Sequence, residues 1–488
     1  MKFDRGSLLR ALPFVAGGFV AGAIAVAPLA AQEWAGREAE PRLHLVQAQA
    51  APRVAPSTQG QMQLSFAPVA ASAGPAVVNV YAQRVVRSRP SLFDDPFFGR
   101  FGGGVPRERV ERSLGSGVIV RDDGIIVTNN HVIEGAQSLK VVLADRREYD
   151  AELLLADSRV DLAVLRINTG ERLPVLAFAD TQSLEVGDLV LAIGNPFGLS
   201  QTVTSGIISA LARTEVGVSD YAFFIQTDAA INRGNSGGAL VDMNGALVGV
   251  NTAIFSEGGG SNGVGFAIPS EMVRRVVESA VSGGTTVVRP WIGARVQTVT
   301  QDLARSIGLP RPEGVLVTEL YPRAAGERAG LRQGDVIISV AGAEIRDEAG
   351  LRYQFATQRP GARVPLVVLR DGDRRTLNAA AEAPPGGAPE ARELTGRHPL
   401  SGARVVTLTP ATAETAGLDP FSAGVFIQAL DRGGVAARVG FRPGDIISEI
   451  NGRAIRDAGD LDRALSQSQA WVIGMERNGQ RGEIRFGM

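Results

Sequence analysis

The second half of this 488-residue chain repeats itself at a constant offset of 110 residues. Gly314-Val-Leu-Val-Thr-Glu-Leu returns as Gly424-Val-Phe-Ile-Gln-Ala-Leu, and Gly334-Asp-Val-Ile returns as Gly444-Asp-Ile-Ile. Two copies at so long a period are two similar domains, not the stacked units of a solenoid. The chain is therefore expected to end in two domains of one fold, preceded by a separate and larger first domain.

The predicted domain boundaries follow changes in composition. The two copies are assigned to 285–382 and 398–488, and the Pro- and Gly-rich stretch between them, 383–397, is a linker. Residues 68–284 form the first domain, and residues 32–67, rich in Ala, Gln and Pro, form a flexible lead-in.

Residues 1–31 have the composition of an export signal. Three basic residues come before an uncharged stretch from Ala11 to Gln32, which contains small residues at a suitable cleavage point. An uncleaved anchor is the alternative because the uncharged run is long enough to span a bilayer. Both interpretations place the rest of the chain outside the cytoplasm, and membrane contact is expected only if the segment stays attached.

The first domain consists of short β-branched runs separated by turns, which is typical of a barrel or sandwich. Asp123-Gly124 and Asn244-Gly245 suit two-residue hairpins. The stretch 87–112 predicts a long loop, and a helix that starts at Ser270 as its N-cap and ends at Gly283-Gly284 closes the domain. The predicted strands are 77–81, 117–120, 125–128, 139–143, 162–167, 189–193, 203–208 and 247–254.

The composition excludes several classes of function. The chain has no cysteine, which excludes disulfides, a thiol nucleophile and cysteine-ligated zinc, and its three histidines make a His-rich metal site implausible. Its formal net charge is −1, with scattered basic residues, so nucleic acid is not an expected partner. The sequence has no Walker-type phosphate loop, and neither ATP nor any other cofactor or metal is expected.

The strongest local motif is Gly234-Asn235-Ser236-Gly237-Gly238. A serine hydroxyl is a poor nucleophile unless a base takes its proton and backbone donors stabilise the oxyanion. Glycines on both sides of Ser236 let the chain curl so that the Gly234 and Ser236 amides can face one point. An ordinary surface turn of the same composition is the alternative.

Only one histidine lies where it could serve as the base. His44 falls in the lead-in and His398 between the repeats, whereas His131, in TNNHV at 128–132, follows a predicted strand of the first domain. A lone histidine at a strand end is more often structural than catalytic. The accompanying candidate nucleophile and acid reverse that expectation.

The acid of a triad should be held at the start of an apolar strand, where it can orient the imidazole. Asp161, in DLAVL at 161–165, fits this description, and Asp228 is the rival because it is near Ser236 in sequence. The order His131, Asp161, Ser236 suits a double β-barrel, whereas an α/β-hydrolase has the order Ser, Asp, His.

These residues resemble the HtrA family, the periplasmic Deg proteases. The resemblance runs from about residue 68 to the C-terminus and implies a mainly β chain, a chymotrypsin-like double β-barrel protease domain followed by two PDZ domains. The motifs that carry it are GSGVI at 115–119, TNNHV at 128–132, DLAVL at 161–165, IGNPFG at 193–198 and the run 226–240.

By this resemblance, His131 is the general base, Asp161 its orienter and Ser236 the nucleophile. The amides of Gly234, Asn235 and Ser236 line the oxyanion hole. No activation by trimming is implied, because Asn235 stands where digestive relatives carry an acid that pairs with a new N-terminus.

The resemblance also assigns regulation and substrate selection. Arg213 matches a loop residue that relays activation. Apolar side chains at Ile231, Ile254 and Phe255 imply small or medium aliphatic P1 residues; ordinary core positions are the alternative. The full set of substrate-binding positions is Ile231, Thr252, Ala253, Ile254, Phe255 and Ser256.

In each PDZ domain one loop is expected to capture the carboxylate of a C-terminal peptide. Ala294 and Ala403 replace larger apolar residues and Ser401 is polar, so the second pocket is expected to bind weakly or to serve assembly. The capturing loops are Trp291-Ile292-Gly293-Ala294 and Leu400-Ser401-Gly402-Ala403.

The resemblance implies an ATP-independent endopeptidase that degrades unfolded or damaged envelope proteins, as a homo-trimer or a multiple of trimers. It implies a periplasmic location, with inner-membrane anchoring as the alternative. The other functions left open are a dual protease and holdase chaperone, a PDZ scaffold with an idle site, and a regulated protease that cuts one signalling substrate.

Overall fold

The computed structural model describes residues 65–88, 107–195, 201–213, 223–232, 234–254, 262–284, 286–387 and 390–487. Residues 1–64, with the expected export signal and nearly all of the lead-in, lie outside this part of the chain. No helix in the described ranges is long and apolar enough to cross a membrane. Within these ranges the fold is mainly β, as predicted.

The first domain opens with a seven-stranded antiparallel sheet in the order β5-β4-β1-β2-β3-β7-β6. Strand β3 is buried along its whole length, and β7 is buried except for its last residue, as their apolar sequences predicted. The strands are β1 (Val77–Ser88), β2 (Arg107–Arg121), β3 (Ile125–Thr128), β4 (Ser138–Val142), β5 (Glu148–Asp150), β6 (Glu152–Asp157) and β7 (Leu162–Arg166).

A closed six-stranded barrel follows, in the order β10-β13-β12-β11-β8-β9. Its interior is filled by buried aliphatic side chains, among them Val190, Ile208, Ile225, Leu240 and Val248. The strands are β8 (Leu189–Gly194), β9 (Thr202–Arg213), β10 (Phe224–Thr227), β11 (Ala239–Val241), β12 (Leu247–Ile254) and β13 (Gly265–Pro269).

Short helices occupy the connections. Within the described residues they are α1 (Ala67–Ala73), α2 (Asn130–Ile133), α3 (Ser270–Val281), α4 (Gln301–Ser306), α5 (Ala325–Arg328), α6 (Glu348–Ala356), α7 (Pro410–Thr415), α8 (Val435–Arg438) and α9 (Ala458–Ser466), together with two 3₁₀ turns at Gly74–Ala76 and Thr181–Ser183.

The expected closing helix is α3, which buries one apolar face against the first domain. Its predicted N-cap is wrong: Pro269 is the N-cap and Ser270 is the first helical residue. The Ser270 hydroxyl donates to the carbonyl of Ala179 at 3.0 Å, so it ties the helix to the preceding chain instead of capping it.

Two loop predictions also need correction. The predicted loop 87–112 is shorter, because β1 and β2 pair as far as Ser88 and Arg107, and its remainder, 89–106, lies outside the described residues. The predicted two-residue hairpins are longer connections, since β2 ends at Arg121 before β3 and β11 ends at Val241 before β12. Gly124 and Gly245 still take the left-handed conformation, with φ of 92° and 77°.

The two repeated domains share one strand plan, to which the second adds β20 at an edge. The first is a sheet in the order β14-β15-β16-β18-β19, and the second has the order β20-β21-β22-β23-β25-β26, with β17 and β24 paired to β16 and β23. The strands are β14 (Ala294–Thr298), β15 (Val315–Leu320), β16 (Val336–Val340), β17 (Ala343–Glu344), β18 (Arg363–Arg370), β19 (Asp373–Ala380), β20 (Ala391–Glu393), β21 (Ala403–Thr407), β22 (Val425–Leu430), β23 (Ile446–Ile450), β24 (Arg453–Ala454), β25 (Trp471–Arg477) and β26 (Gln480–Phe486).

The repeated Gly-Asp motif has a structural cause. The carboxylate of Asp335 is buried and accepts two hydrogen bonds from the Arg370 guanidinium, at 2.6 and 2.7 Å. Asp445 does the same with Arg477 at the same two distances. Burial of a carboxylate is tolerated when it is paired in this bidentate way.

The predicted linker 383–397 is partly strand. Within it, β20 pairs antiparallel with β21, so the second repeated domain begins before its predicted start at residue 398. No strand covers β14 in the same way among the described residues of the first repeat.

Contacts between described residues join the first repeated domain to the preceding domain, among them an ion pair and a ring stack. The side chains of Arg289 and Asp157 form a buried ion pair. The rings of Phe223 and Tyr353 stack with centroids 3.9 Å apart and an interplanar angle of 10°. Since Tyr353 lies on α6, that helix is packed against the first domain.

Candidate active site

Asp161 stands at the start of β7 in a left-handed conformation, with φ of 57°. Such a backbone is uncommon for a residue with a side chain and persists where the surroundings fix it. Its carbonyl accepts from the Asn130 amide at 3.2 Å and from Asn129 Nδ2 at 2.9 Å. These bonds fasten the start of β7 to the segment that carries His131.

The Asp161 carboxylate holds His131 by two bonds. His131 Nδ1 lies 2.8 Å from Oδ2, and the His131 amide donates to Oδ1 at 2.9 Å. The side chain of Asp161 is 11% exposed and that of His131 is 48% exposed. A buried carboxylate on Nδ1 favours the tautomer with its proton on that atom, which leaves Nε2 as the proton acceptor.

Asp228, the alternative candidate for the acid, forms a different contact. Its side chain is exposed and its Oδ1 accepts from the Ile207 amide at 2.7 Å. A Cβ on Gly206 would come within 2.4 Å of the same oxygen. Asp228 therefore bonds β9 to the start of the serine loop, the segment from Asp228 to Gly238 that carries Ser236. The structure pairs Asp161, not Asp228, with His131.

The serine loop depends on glycines and on Ser116 of the first sheet. Gly234 and Gly237 have φ of 100° and 82°, and a Cβ on Gly237 would lie 2.1 Å from the Ser116 carbonyl oxygen. The Ser116 amide donates to the Ser236 carbonyl at 2.8 Å, and its hydroxyl to the Gly234 carbonyl at 2.6 Å. The first sheet thus fixes the loop that presents Ser236.

In this conformation, the Ser236 hydroxyl donates to the carbonyl of Thr252 at 3.2 Å. Among the described residues, no hydrogen bond joins the Ser236 hydroxyl to His131. The Asn235 amide donates to the carbonyl of Asn232 at 3.0 Å and is therefore engaged in the turn. Among the described residues, neither the Gly234 amide nor the Ser236 amide is engaged in such a bond.

Thr252 has a connection that the sequence did not reveal. Its hydroxyl donates to Asp161 Oδ2 at 2.6 Å, and the residue is 4% exposed. The sequence assigned Thr252 to substrate binding alone. A hydroxyl in the middle of the apolar strand β12 was the one available signal for a buried polar contact.

The specificity positions are only partly described. Ile231 is 1% exposed and packs within the core of the closed barrel, where a Cβ on Gly265 would lie 2.8 Å from its Cδ1. This agrees with the alternative of an ordinary core residue. The backbones of Ala253, Ile254 and Arg213 lie at strand ends, but their side chains, and all of Phe255 and Ser256, fall outside the described part of the chain.

The loop at Trp291–Ala294 adjoins a groove between β14 and α6. Gly293 is left-handed, with φ of 74°, and the carbonyls of Ile292 and Gly293 accept from the Gly326 and Tyr321 amides at 2.7 and 2.8 Å. The groove forms a cavity of about 410 Å³, lined by apolar residues that include Ile292, Val296 and Phe355 and by charged residues that include Arg295 and Glu348.

The second repeated domain contributes the outer wall of this cavity through Leu418 and Phe421. The ring of Phe421 meets those of Trp291 and Tyr321 edge-on, with centroid distances of 5.7 and 5.8 Å. Arg295 forms an ion pair with Asp419 at 2.8 Å in the same region. The corresponding loop of the second domain, Leu400–Ala403, has Gly402 left-handed, with φ of 83°, and buries Leu400 and Ala403.

Comparisons with known families agree with this geometry. Residues 115–250 match a trypsin-like peptidase domain, and residues 290–380 and 426–472 each match a PDZ domain. The fold and the site therefore define a trypsin-like serine endopeptidase with two PDZ domains.

Relatives identify the family. The "probable periplasmic serine endoprotease DegP-like" of Chlamydia trachomatis is 39% identical over 386 residues, which cover 77% of this chain and 76% of that protein. The periplasmic serine endoprotease DegP of Escherichia coli is 36% identical over 452 residues, covering 88% and 92%. The chain belongs to the HtrA family of DegP-like serine endoproteases, and these names support a periplasmic location.

A solved structure gives the same result. An HtrA-type protease, AlgW with a tripeptide, is 42% identical, covers 66% of this chain and 98% of its own, and has a TM-score of 0.50.

Proposed function

We propose that His131, Asp161 and Ser236 are the catalytic triad of this endopeptidase. The observation that carries the proposal is the 2.8 Å contact between His131 Nδ1 and the buried Asp161 carboxylate, because it fixes the imidazole as a base. The loop that presents Ser236 is bonded to the first sheet beside them.

The reaction begins when Ser236 Oγ leaves the Thr252 carbonyl and turns towards His131 Nε2. Nε2 takes the hydroxyl proton as Oγ attacks the scissile carbonyl carbon, and the amides of Gly234 and Ser236 stabilise the oxyanion. The imidazolium then gives its proton to the leaving amine, and the C–N bond breaks. A water molecule, activated by His131, hydrolyses the acyl-enzyme and restores Ser236.

The substrates proposed are unfolded or damaged envelope proteins, cleaved without ATP after small or medium aliphatic residues. The support is the likeness to DegP-like proteases. The first PDZ groove takes the C-terminal end of a peptide as an added strand beside β14, since apolar side chains form part of its lining and β14 lies at the sheet edge.

Assembly and regulation are carried over from the family resemblance. The enzyme works as a trimer or a multiple of trimers, which light scattering of the full chain would show. Arg213 relays activation from the loop that precedes β10. The first 31 residues act as an export signal, which sequencing of the N-terminus of the exported protein would test.

Degradation of a reduced, carboxymethylated protein by the full chain tests the triad. Wild type should cleave it, whereas Ser236→Ala should not, because no nucleophile remains. Ser466→Ala is the matched control, since that serine lies on the exposed surface of α9 and should leave the rate unchanged. Cleavage by Ser236→Ala would contradict the triad; a wild type that only suppresses aggregation would favour the holdase alternative.

A further inference from the structure

The peptide-binding edge of the second PDZ domain is already covered by the chain itself. Strand β20 runs antiparallel to β21, with Ala391 opposite Val406 and Glu393 opposite Arg404. In the first PDZ domain, the strand equivalent to β21 is β14. Within the described residues β14 pairs with β15 alone, so its outer edge carries no strand. A PDZ ligand binds as an added strand, and β20 has the position of such a strand.

One amide of the second capturing loop, that of Gly402, is engaged as it would be by a ligand. The Gly402 amide donates to the carbonyl of Leu394 at 2.8 Å, and the Leu394 amide donates to the carbonyl of Ala403 at 2.8 Å. The Ser401 amide donates to the carbonyl of His398 at 3.1 Å. The carbonyl of Leu394 therefore occupies the place where a terminal carboxylate would accept the same bond.

The side chains of this segment follow the pattern of a bound peptide. Leu394 is 3% exposed and belongs to the core cluster that contains Leu400, Leu461 and Leu465. Two of these leucines lie on α9, the helix that forms the second wall of the groove. Arg392 reaches the same helix through an ion pair with Asp462. Both walls of the groove thus hold the segment.

We propose that residues 391–394 are an internal ligand of the second PDZ domain. The groove is closed to free C-terminal peptides, and its own ligand is an Ala-Arg-Glu-Leu sequence held in the same chain. A short tether gives such a ligand an effective concentration in the millimolar range, on the order of 1 mM, which free peptides do not approach. The proposal rests on the proposed role of PDZ grooves as peptide receptors.

The experiment counts binding sites on the full chain in the Ser236→Ala background. The probe is a fluorescein-labelled hexapeptide with the sequence of residues 389–394 and a free carboxylate. Leu394→Asp opens the groove because a carboxylate is excluded from the leucine cluster. Glu393→Gln is the matched control, since Glu393 is exposed in the same strand.

The Leu394→Asp variant should bind one more probe per chain than wild type, and Glu393→Gln should bind the same number as wild type. The amidated probe should not bind the new site. If wild type binds no probe and the variant binds one, the result supports the internal ligand of the second PDZ domain. The same result contradicts the proposal that the first PDZ groove binds peptides. A wild type that binds two probes, or a variant that gains none, would overturn the proposal.

A disulfide gives a second test that leaves the leucine cluster intact. Because Leu394 bonds to Ala403, the adjacent pair Glu393 and Arg404 is not hydrogen-bonded, and its Cα atoms lie about 4.5 Å apart. Glu393→Cys with Arg404→Cys, in a chain that has no other cysteine, should form an intramolecular disulfide in air without changing peptidase activity. Persistent free thiols would show that β20 does not occupy the groove in solution.

Discussion

The Thr252 hydroxyl donates a 2.6 Å hydrogen bond to Oδ2 of Asp161, the oxygen that also contacts His131 Nδ1. Thr252 therefore positions the acid that positions the base. A hydrogen bond to a charged group contributes about 1.5–3 kcal/mol. We predict that Thr252→Val lowers kcat/KM about 10- to 100-fold, mainly through kcat, with the fold checked by circular dichroism.

Thr252→Ser is the matched control for this contact because it retains the hydroxyl. It should keep most of the activity that the valine variant loses. If kcat/KM falls equally in both variants, the loss cannot be attributed to the hydrogen bond between Thr252 and Asp161.

The choice between two acids gives the second prediction. Asp161→Asn keeps the shape but favours the wrong imidazole tautomer, and the loss of kcat should be about 10³- to 10⁴-fold, as for the corresponding change in the serine protease template. Asp228→Asn should retain activity within about tenfold, because among the described residues Asp228 accepts from the Ile207 amide and does not contact His131. Initial rates of peptide hydrolysis decide between them, and a larger loss in Asp228→Asn would reverse the assignment.

The residues proposed as the triad could be singled out from the sequence because each of them lies in a local pattern. Ser236 is framed by glycines, Asp161 opens an apolar strand and His131 follows one. The contact of Thr252 was not predictable in this way. It spans 91 residues, and the hydroxyl of a threonine inside a buried strand indicates a polar contact without indicating its partner.

The repeat predicted two domains of one fold but not the difference between them. Asp335 and Asp445 repeat because each is held by an arginine within its own domain. Residues 391–393 are exposed and lie in a Pro- and Gly-rich stretch, so nothing in their pattern indicated a strand. Only pairing with β21, set by the tertiary fold, makes them one.

The buried ion pair between Arg289 and Asp157 gives the third prediction. Both side chains are about 5% exposed, so removing one partner leaves a buried charge uncompensated. Arg289→Ala should destabilise the chain by about 3–5 kcal/mol and loosen the first PDZ domain from the protease domain. Thermal unfolding measures the loss, and hydrogen exchange in β6 locates it.

A surface pair provides the control for this prediction. Arg305 and Asp302 are largely exposed, and Arg305→Ala should cost less than about 1 kcal/mol. The double variant Arg289→Met with Asp157→Leu should recover much of the lost stability, since neither charge is then buried alone. A double variant no more stable than Arg289→Ala would show that another contact of Arg289 dominates.

Tyr353 gives the last prediction, which combines packing with pH. Its ring stacks on Phe223, but its hydroxyl is buried without a hydrogen-bond partner among the described residues. Burial raises the pKa of this phenol well above its usual value, with a smaller contribution from the charge of Glu271. Tyr353→Phe keeps the stack and should stabilise the chain by about 1 kcal/mol at pH 8, because it removes an unsatisfied polar group.

The pH dependence follows from the direction of that shift. Above about pH 10 the unfolded chain releases the phenol proton while the folded chain retains it, so the wild type loses stability as the pH rises. Tyr353→Phe lacks this loss, and its advantage in urea unfolding should therefore widen between pH 8 and pH 10.5. Tyr149→Phe is the control at pH 8, since its hydroxyl accepts from Arg147 and its removal should bring no gain. A constant advantage at both pH values would mean that the Tyr353 phenol ionises as freely in the folded chain as in the unfolded one, which would contradict its burial against the protease domain.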